Sequence, residues 1–458
     1  MTEKLSIIGV LKLTACPVVL AGLLSSTTLA DTWTRSSLPT DTNLDWSDGT
    51  KWTNDTGTAN TAPNQVGAIV VLPDGGSARN INLTSQQTLG VLNVNAASGG
   101  WTIAGSDTNN AILNFNNGAA ASELNIPSNV TFSMTNVNIR LNGELIITSA
   151  NTRGTTTSFA ASNVTSGIGD LILKNNNPTA QGLQFLGVLN HTGWIANEST
   201  GSSEVALGGT IGSNITGIRQ SSATSTMRIA KAFQDFAGQI VVQAGTLKFD
   251  SAVVNTGNIT KITVGDETSP NAVLDMSAGN LTLNASTTLA GSGSINANAG
   301  TARTITASVG SHIAPGNTGA GTLIINGNVY VQTGANMDFD LGATSDFLNV
   351  TGNFRLGTSL ILNINLLGDA TVGQYDLVNF GSLTGASAGA DVTGLFTVNG
   401  LGGLVAGTDY TISIDSTGTK LQFDLNALPI PEPSTWVMLG LGIGLSIILR
   451  LRRKNSAV

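Results

Sequence analysis

Apolar and polar residues alternate with a period of two through much of this chain. The clearest stretch runs from Gly321 to Leu341, where Leu323/Ile325, Val329/Val331 and Met337/Phe339/Leu341 each point one way, with Gly and Asn between the groups. Ala237–Phe249 repeats the pattern: Ile240 and Val242, a glycine turn, then Leu247 and Phe249. Leu281–Ile295 is a third such unit. These strands are roughly five residues long, with bends every six to ten residues or so, and none buries a face alone. Stacked as coils of a solenoid they bury a continuous core, with Asn and Thr forming ladders at the turns. The pattern therefore predicts that residues 237–366 form parallel coils with Val242, Leu247, Leu323, Val331, Phe339, Leu348 and Leu356 inward. A register slip of one residue would reverse every one of these assignments.

Composition supports an all-β body. Only 10% of the 458 residues are charged, whereas soluble helices need Glu, Lys and Arg on their wet faces. Of the 20 basic residues, six lie in the terminal segments, as do two of the 28 acidic ones. The remaining 14 basic and 26 acidic residues leave the body at −12, which argues against nucleic acid or an anionic membrane surface as partner.

Gly238–Phe249, Leu289–Ile295, Ile313-Ala-Pro-Gly-Asn317 and Ser345–Gly352 resemble the autotransporter-associated β-strand repeat and passenger segments. The resemblance implies a right-handed parallel β-helix, which we assign to residues 111–428. An autotransporter ends in a membrane barrel of many alternating strands. This chain shows a different kind of tail, so export through its own barrel is not expected. Residues 31–110 hold Trp33, Trp46, Trp52 and Trp101 and read as an end cap, because stacked repeats need atypical ends. A tryptophan platform for sugars is the alternative.

The two ends read as targeting devices. Residues 1–30 have the form of a Sec signal peptide: Lys4, apolar stretches at 5–10 and 18–24, and small residues before a cleavage point after Ala30. Cys16 is the chain's one cysteine, and Pro17 directly after it argues against lipidation. The mature chain has no cysteine, so its fold must hold without disulfides.

At the other end, residues 429–435 are proline-rich, 436–449 are uncharged and apolar, and 450–458 carry Arg450, Arg452, Arg453 and Lys454. Fourteen residues make a helix of about 21 Å, short against a hydrocarbon core of roughly 30 Å. Trp436 at one edge and snorkelling arginines at the other still favour a single transmembrane helix, with the basic cluster as a cytoplasmic stop-transfer signal. Pro431-Glu432-Pro433, the short span and the Arg-rich end together resemble the PEP-CTERM sorting signal of Gram-negative bacteria. That resemblance implies recognition and cleavage by an exosortase, a membrane-embedded transpeptidase, after export through the Sec translocon and a transient stay in the inner membrane.

Candidate chemistry in the body is sparse. Asp338 and Asp340 share one strand face, with Asp346 six residues on, an arrangement open to acid–base work or calcium binding. Outward alternation around Met337, Phe339 and Leu341 explains the pair without chemistry, and Asp346 reads as a turn residue bonding backbone. His191 and His312 lack partners at metal spacing, and His312 reads as structural within the Ile313-Ala-Pro-Gly turn. Gly291-Ser-Gly-Ser is a turn between strands rather than a nucleophile elbow. The sequence thus points to no catalytic residue, no metal and no cofactor. The expected function is that of an exported surface or matrix protein, structural or adhesive; its association with exopolysaccharide is what the resemblance to the sorting-signal family implies, not something any residue shows. The rival is a β-helical polysaccharide-active enzyme, a lyase or glycoside hydrolase. It would require Asp338, Asp340 and a Lys or Arg to converge within about hydrogen-bonding distance.

Overall fold

The computed structural model describes residues 30–429, apart from the short segments 37–44, 58–59, 75–78, 96–98, 107–109, 153–156, 161–162, 179–181, 232–235, 251–252, 256, 299–302 and 318. The signal peptide, the Pro431-Glu432-Pro433 motif, the expected transmembrane helix and its basic flank lie outside the described residues, Ala30 excepted. Among the described residues no helix is long and apolar enough to cross a membrane.

The body is an all-β parallel solenoid. One long sheet has sixteen strands, and every pairing in it is parallel except that of Trp52–Asn54 with Thr32–Arg35. The coil is easiest to follow in the second half of the chain. Thr288–Gly291 lies on the long sheet, Ser294–Asn296 and Thr304–Ala307 form the other faces, and His312–Pro315 returns beside Thr288–Gly291. The two next strands of that coil, Thr322–Asn326 and Asn328–Val331, pair in turn with their predecessors. Parallel coils are also formed by the described residues between 100 and 230.

Alternation sorted the core as the pattern demands. Val242, Leu247, Leu323, Val331 and Leu348 are completely buried, and Phe339 and Leu356 nearly so. Because each coil repeats the register of the one before, identical faces stack: Ile240, Ile262, Leu289, Ile313, Met337 and Leu362 form one inward column. Each such side chain contributes about 1.5–3 kcal/mol on burial. Aromatic rings stack likewise, with Phe159 and Phe185 at 4.3 Å between centroids and parallel.

The polar ladders at the turns are also present. Asn197 Nδ2 donates to Gln220 Oε1 at 2.7 Å, and Gln220 Nε2 donates to the carbonyls of Ser222 and Ser225. Thr200 N and Oγ1 both donate to Asn176 Oδ1. These groups are side-on to water or fully buried, and stacking lets each coil satisfy the next.

Both ends of the stack turn antiparallel. At one end Trp52–Asn54 closes the sheet, with Trp33, Trp46 and Trp52 buried and Arg35 packed over the Trp52 ring at 5.1 Å. Trp101 is buried too, so none of the four tryptophans offers the exposed ring that a sugar platform needs. Parallel coils already begin at Ile69–Pro73, inside the segment expected as cap. At the other end Gly373–Thr384 pairs antiparallel with Lys420–Leu425, which pairs antiparallel with Tyr410–Ile414. Closing an edge in this way removes a template for strand addition.

Candidate functional site

On the outer face of the long sheet, five successive coils bring together residues far apart in sequence. Lys261, Thr288 and His312 occupy equivalent positions on neighbouring strands. Two residues further along each strand stand Thr263, Ala290 and Ala314, also in register. Asp338 and Asn363 pair on the next two strands, as do Asp340 and Asn365. The small Ala290 and Ala314 side chains leave a hollow there. It is a cleft of about 300 Å³, with Pro315, Lys261, Asp338, Asp340 and Asp346 among its walls.

The polar groups are held by one another. His312 Nδ1 lies 2.7 Å from Asp338 Oδ2, and Asn363 Nδ2 donates to Asp338 Oδ1 at 2.6 Å. Asn365 Nδ2 donates to Asp340 Oδ1 at 2.9 Å. Lys261 Nζ donates to Asn317 Oδ1 at 3.0 Å. The loop after Pro315 is fastened by two carboxylates: Glu267 accepts from the Asn317 and Gly319 amides, and Asp346 Oδ1 accepts from Gly321 N. Asp346 Oδ2 accepts from Asp340 N at 2.8 Å.

Gly316 is required at the bend. Its φ is +77°, and a Cβ there would stand 2.3 Å from the Gly319 carbonyl oxygen and 2.6 Å from Asp346 Oδ1. That contact accounts for the Pro-Gly of the Ile313–Asn317 motif.

Burial pushes the Asp346 carboxyl up to about 7, with the nearby Asp340 and Glu267 charges acting in the same sense and the two backbone N–H donors acting against it. The side chain is 4% exposed. Asp346 is thus the backbone-bonding residue read from the sequence, but buried rather than in an open turn. His312 opens the strand His312–Pro315 instead of sitting in a turn, and its ring bonds Asp338. His191 lies elsewhere, fully buried, its Nε2 3.4 Å from the Trp194 carbonyl oxygen, and burial lowers its pKa. Among the described residues no group of three His, Cys, Asp or Glu side chains is placed to hold a metal ion.

Asp338, Asp340 and Lys261 thus line one cleft, but the Lys261 ammonium bonds Asn317 and pairs with neither aspartate, so the three do not converge within hydrogen-bonding distance. Lys261, Asn363 and Asn365 were not singled out from the sequence. The signal was the coil length, since bonded partners such as Asp338 and Asn363 are 25 residues apart and His312 and Asp338 are 26 apart.

Several other basic residues form surface ion pairs away from this cleft. Arg228 bridges Glu204 and Asp250 at 2.7 and 2.8 Å, and Arg219 pairs with Glu198 at 3.0 Å.

Past the antiparallel end of the body, residues 429–454 match the PEP-CTERM protein-sorting motif. This chain carries an exosortase sorting signal. The motif is the substrate signal for exosortase processing, and it marks an exported protein with a cell-surface or extracellular destination. In addition, 119 residues, 24% of this chain, are 33% identical to the adhesin BmaC autotransporter of Brucella suis biovar 1 (strain 1330). The match spans 3% of that adhesin's length. Both likenesses agree with a passenger-like β-solenoid joined to a sorting tail.

Proposed function

We propose that this is a non-enzymatic structural or adhesive protein of the cell surface or extracellular matrix, delivered by Sec export and exosortase processing and associated with exopolysaccharide. The observation that carries the reading is the PEP-CTERM match at residues 429–454, immediately beyond a solenoid whose ordered strands end at Leu425. A stiff stack of coils suits display: it presents one long face at fixed spacing and needs no disulfide in an oxidising compartment. The coil is right-handed in this reading, the hand that parallel crossovers adopt in nearly all sheets. Similarity to part of an adhesin supports a surface role. The rival enzyme reading draws on the cleft in which Asp338, Asp340, Asp346 and Lys261 meet.

In the proposed topology residues 1–30 are removed after Ala30. Trp436–Leu449 is held in the inner membrane, and Arg450, Arg452, Arg453 and Lys454 stay inside the cell. Pro431-Glu432-Pro433 then lies extended at the outer interface, as a protease substrate must. Replacing Pro431 and Glu432 with alanine leaves insertion intact but blocks processing, so the uncut chain accumulates in the membrane fraction. A fractionation blot with a tag between Ala30 and Trp33, in a host that has an exosortase, measures this. Processing of the variant like wild type would overturn the reading.

A further inference from the structure

We propose that the cleft beside His312 and Asp338 is a binding subsite for a neutral, hydroxyl-rich polysaccharide; this rests on the exopolysaccharide association proposed above and places it on one face of the solenoid. Three observations converge on that ligand.

First, the floor is apolar. Ala290 and Ala314 lie side by side on neighbouring strands, next to the larger Thr263, and with Pro315 they present carbon to the C–H face of a sugar ring.

Second, the walls offer both donors and acceptors within one hollow. Lys261 Nζ has protons beyond the one it gives Asn317, and Asp340 Oδ2 faces no hydrogen-bond donor among the described residues. Sugar hydroxyls both donate and accept, so a mixed wall suits them better than it suits a purely anionic or cationic group. These walls are also pre-organised, because Asp338, Asp340 and Lys261 are already oriented by His312, Asn363, Asn365 and Asn317. Little side-chain entropy is then lost on binding.

Third, the charge selects. Asp338 and Asp340 outnumber Lys261 in the cleft, so uronate or sulfated chains are repelled and neutral ones are not. The cleft opens along a sheet whose strands recur about every 4.8 Å, which suits a chain of repeating units rather than a single small molecule.

The test uses the full chain and exopolysaccharide isolated from the native host, in a co-sedimentation assay. Two variants are compared with wild type: Ala314→Phe, which fills the hollow from its floor, and the pair Asp340→Asn and Asn365→Ala, which leaves the floor open. Circular dichroism melts confirm that each variant is folded. We expect both to bind at least tenfold more weakly. Neutral hexasaccharides, cellohexaose and maltohexaose, should compete for the wild-type site, and a hexa-guluronate should not. Equal binding by wild type and both variants would overturn this site while leaving the exopolysaccharide association standing. Competition by the guluronate alone would overturn the ligand class. Absence of wild-type binding would overturn the association itself, and the site with it.

Discussion

The same strands carry two unlike faces. Looking inward, Leu171, Ile195, Ile218, Ile240, Ile262, Leu289, Ile313, Met337 and Leu362 follow one another in register, aliphatic without exception. Looking outward one residue earlier, Trp194, Gly217, Gln239, Lys261, Thr288 and His312 share no chemistry at all. The inner face has lost water, and an unpartnered polar group there costs more than a missing methyl. The outer face has not, and each position is free to take the residue that function asks of it. Recognition chemistry in a solenoid is therefore found by following the outward column from coil to coil, and the fold by following the inward one.

The contrast is sharpest at Ile313 and its outward neighbours. Ile313→Ala should destabilise the body by about 2–5 kcal/mol, because it removes buried methyls and opens a cavity between rigid coils. Thr288→Ala, on the adjoining strand but outward, should fall within about 0.5 kcal/mol of wild type. Urea titrations followed by circular dichroism measure both, and comparable losses for the two would break the comparison.

Asp346, just before the strand Phe347–Leu356, tests what happens when a carboxyl beside the outer face becomes buried. Its folded pKa is about 7, above the ordinary 3.8 of the unfolded chain. A carboxyl raised in the folded state keeps its proton longer there than in the unfolded chain. Its contribution is then fully present below about pH 4, is lost as pH rises through the window from 3.8 to about 7, and is flat above it. The loss is at most on the order of 4 kcal/mol, since one unit is about 1.4 kcal/mol. Asp346→Asn should flatten the wild-type stability profile between pH 4 and 7. An unchanged slope in urea midpoints across that range would contradict the assignment.

A small effect is also expected of the partly exposed ion pairs. Arg228 bridges Glu204 and Asp250, and its pKa is raised chiefly by the hydrogen bond to Glu204 and then by that to Asp250. Solvent screens such pairs, so Arg228→Met should cost about 1 kcal/mol or less. The difference should shrink further in melts at high salt. A loss as large as that of Ile313→Ala would mean that the outer face holds the coils together, contrary to the comparison.

Much of this was legible in the chain itself. Period-two alternation around Leu323, Val331, Phe339 and Leu348 determined which side chains are buried, because a strand has only two faces and one residue of slip exchanges them. Glycine bends and the shortage of charge determined that the strands must stack. The sorting motif was readable as well, since it acts as a linear segment whose parts are adjacent in sequence. The antiparallel closure at Gly373–Leu425 was not, because alternation is the same in parallel and antiparallel strands.

Nor was the cleft legible. Its groups come from Lys261, the Asp338–Asp346 segment and Asn363, which meet only because intervening coils have particular lengths. Each coil returns to the long sheet after a slightly different number of residues, so the sequence leaves the alignment of outward columns open by several positions. Hydrogen-bond register between strands decides it, and that register exists only in the folded stack.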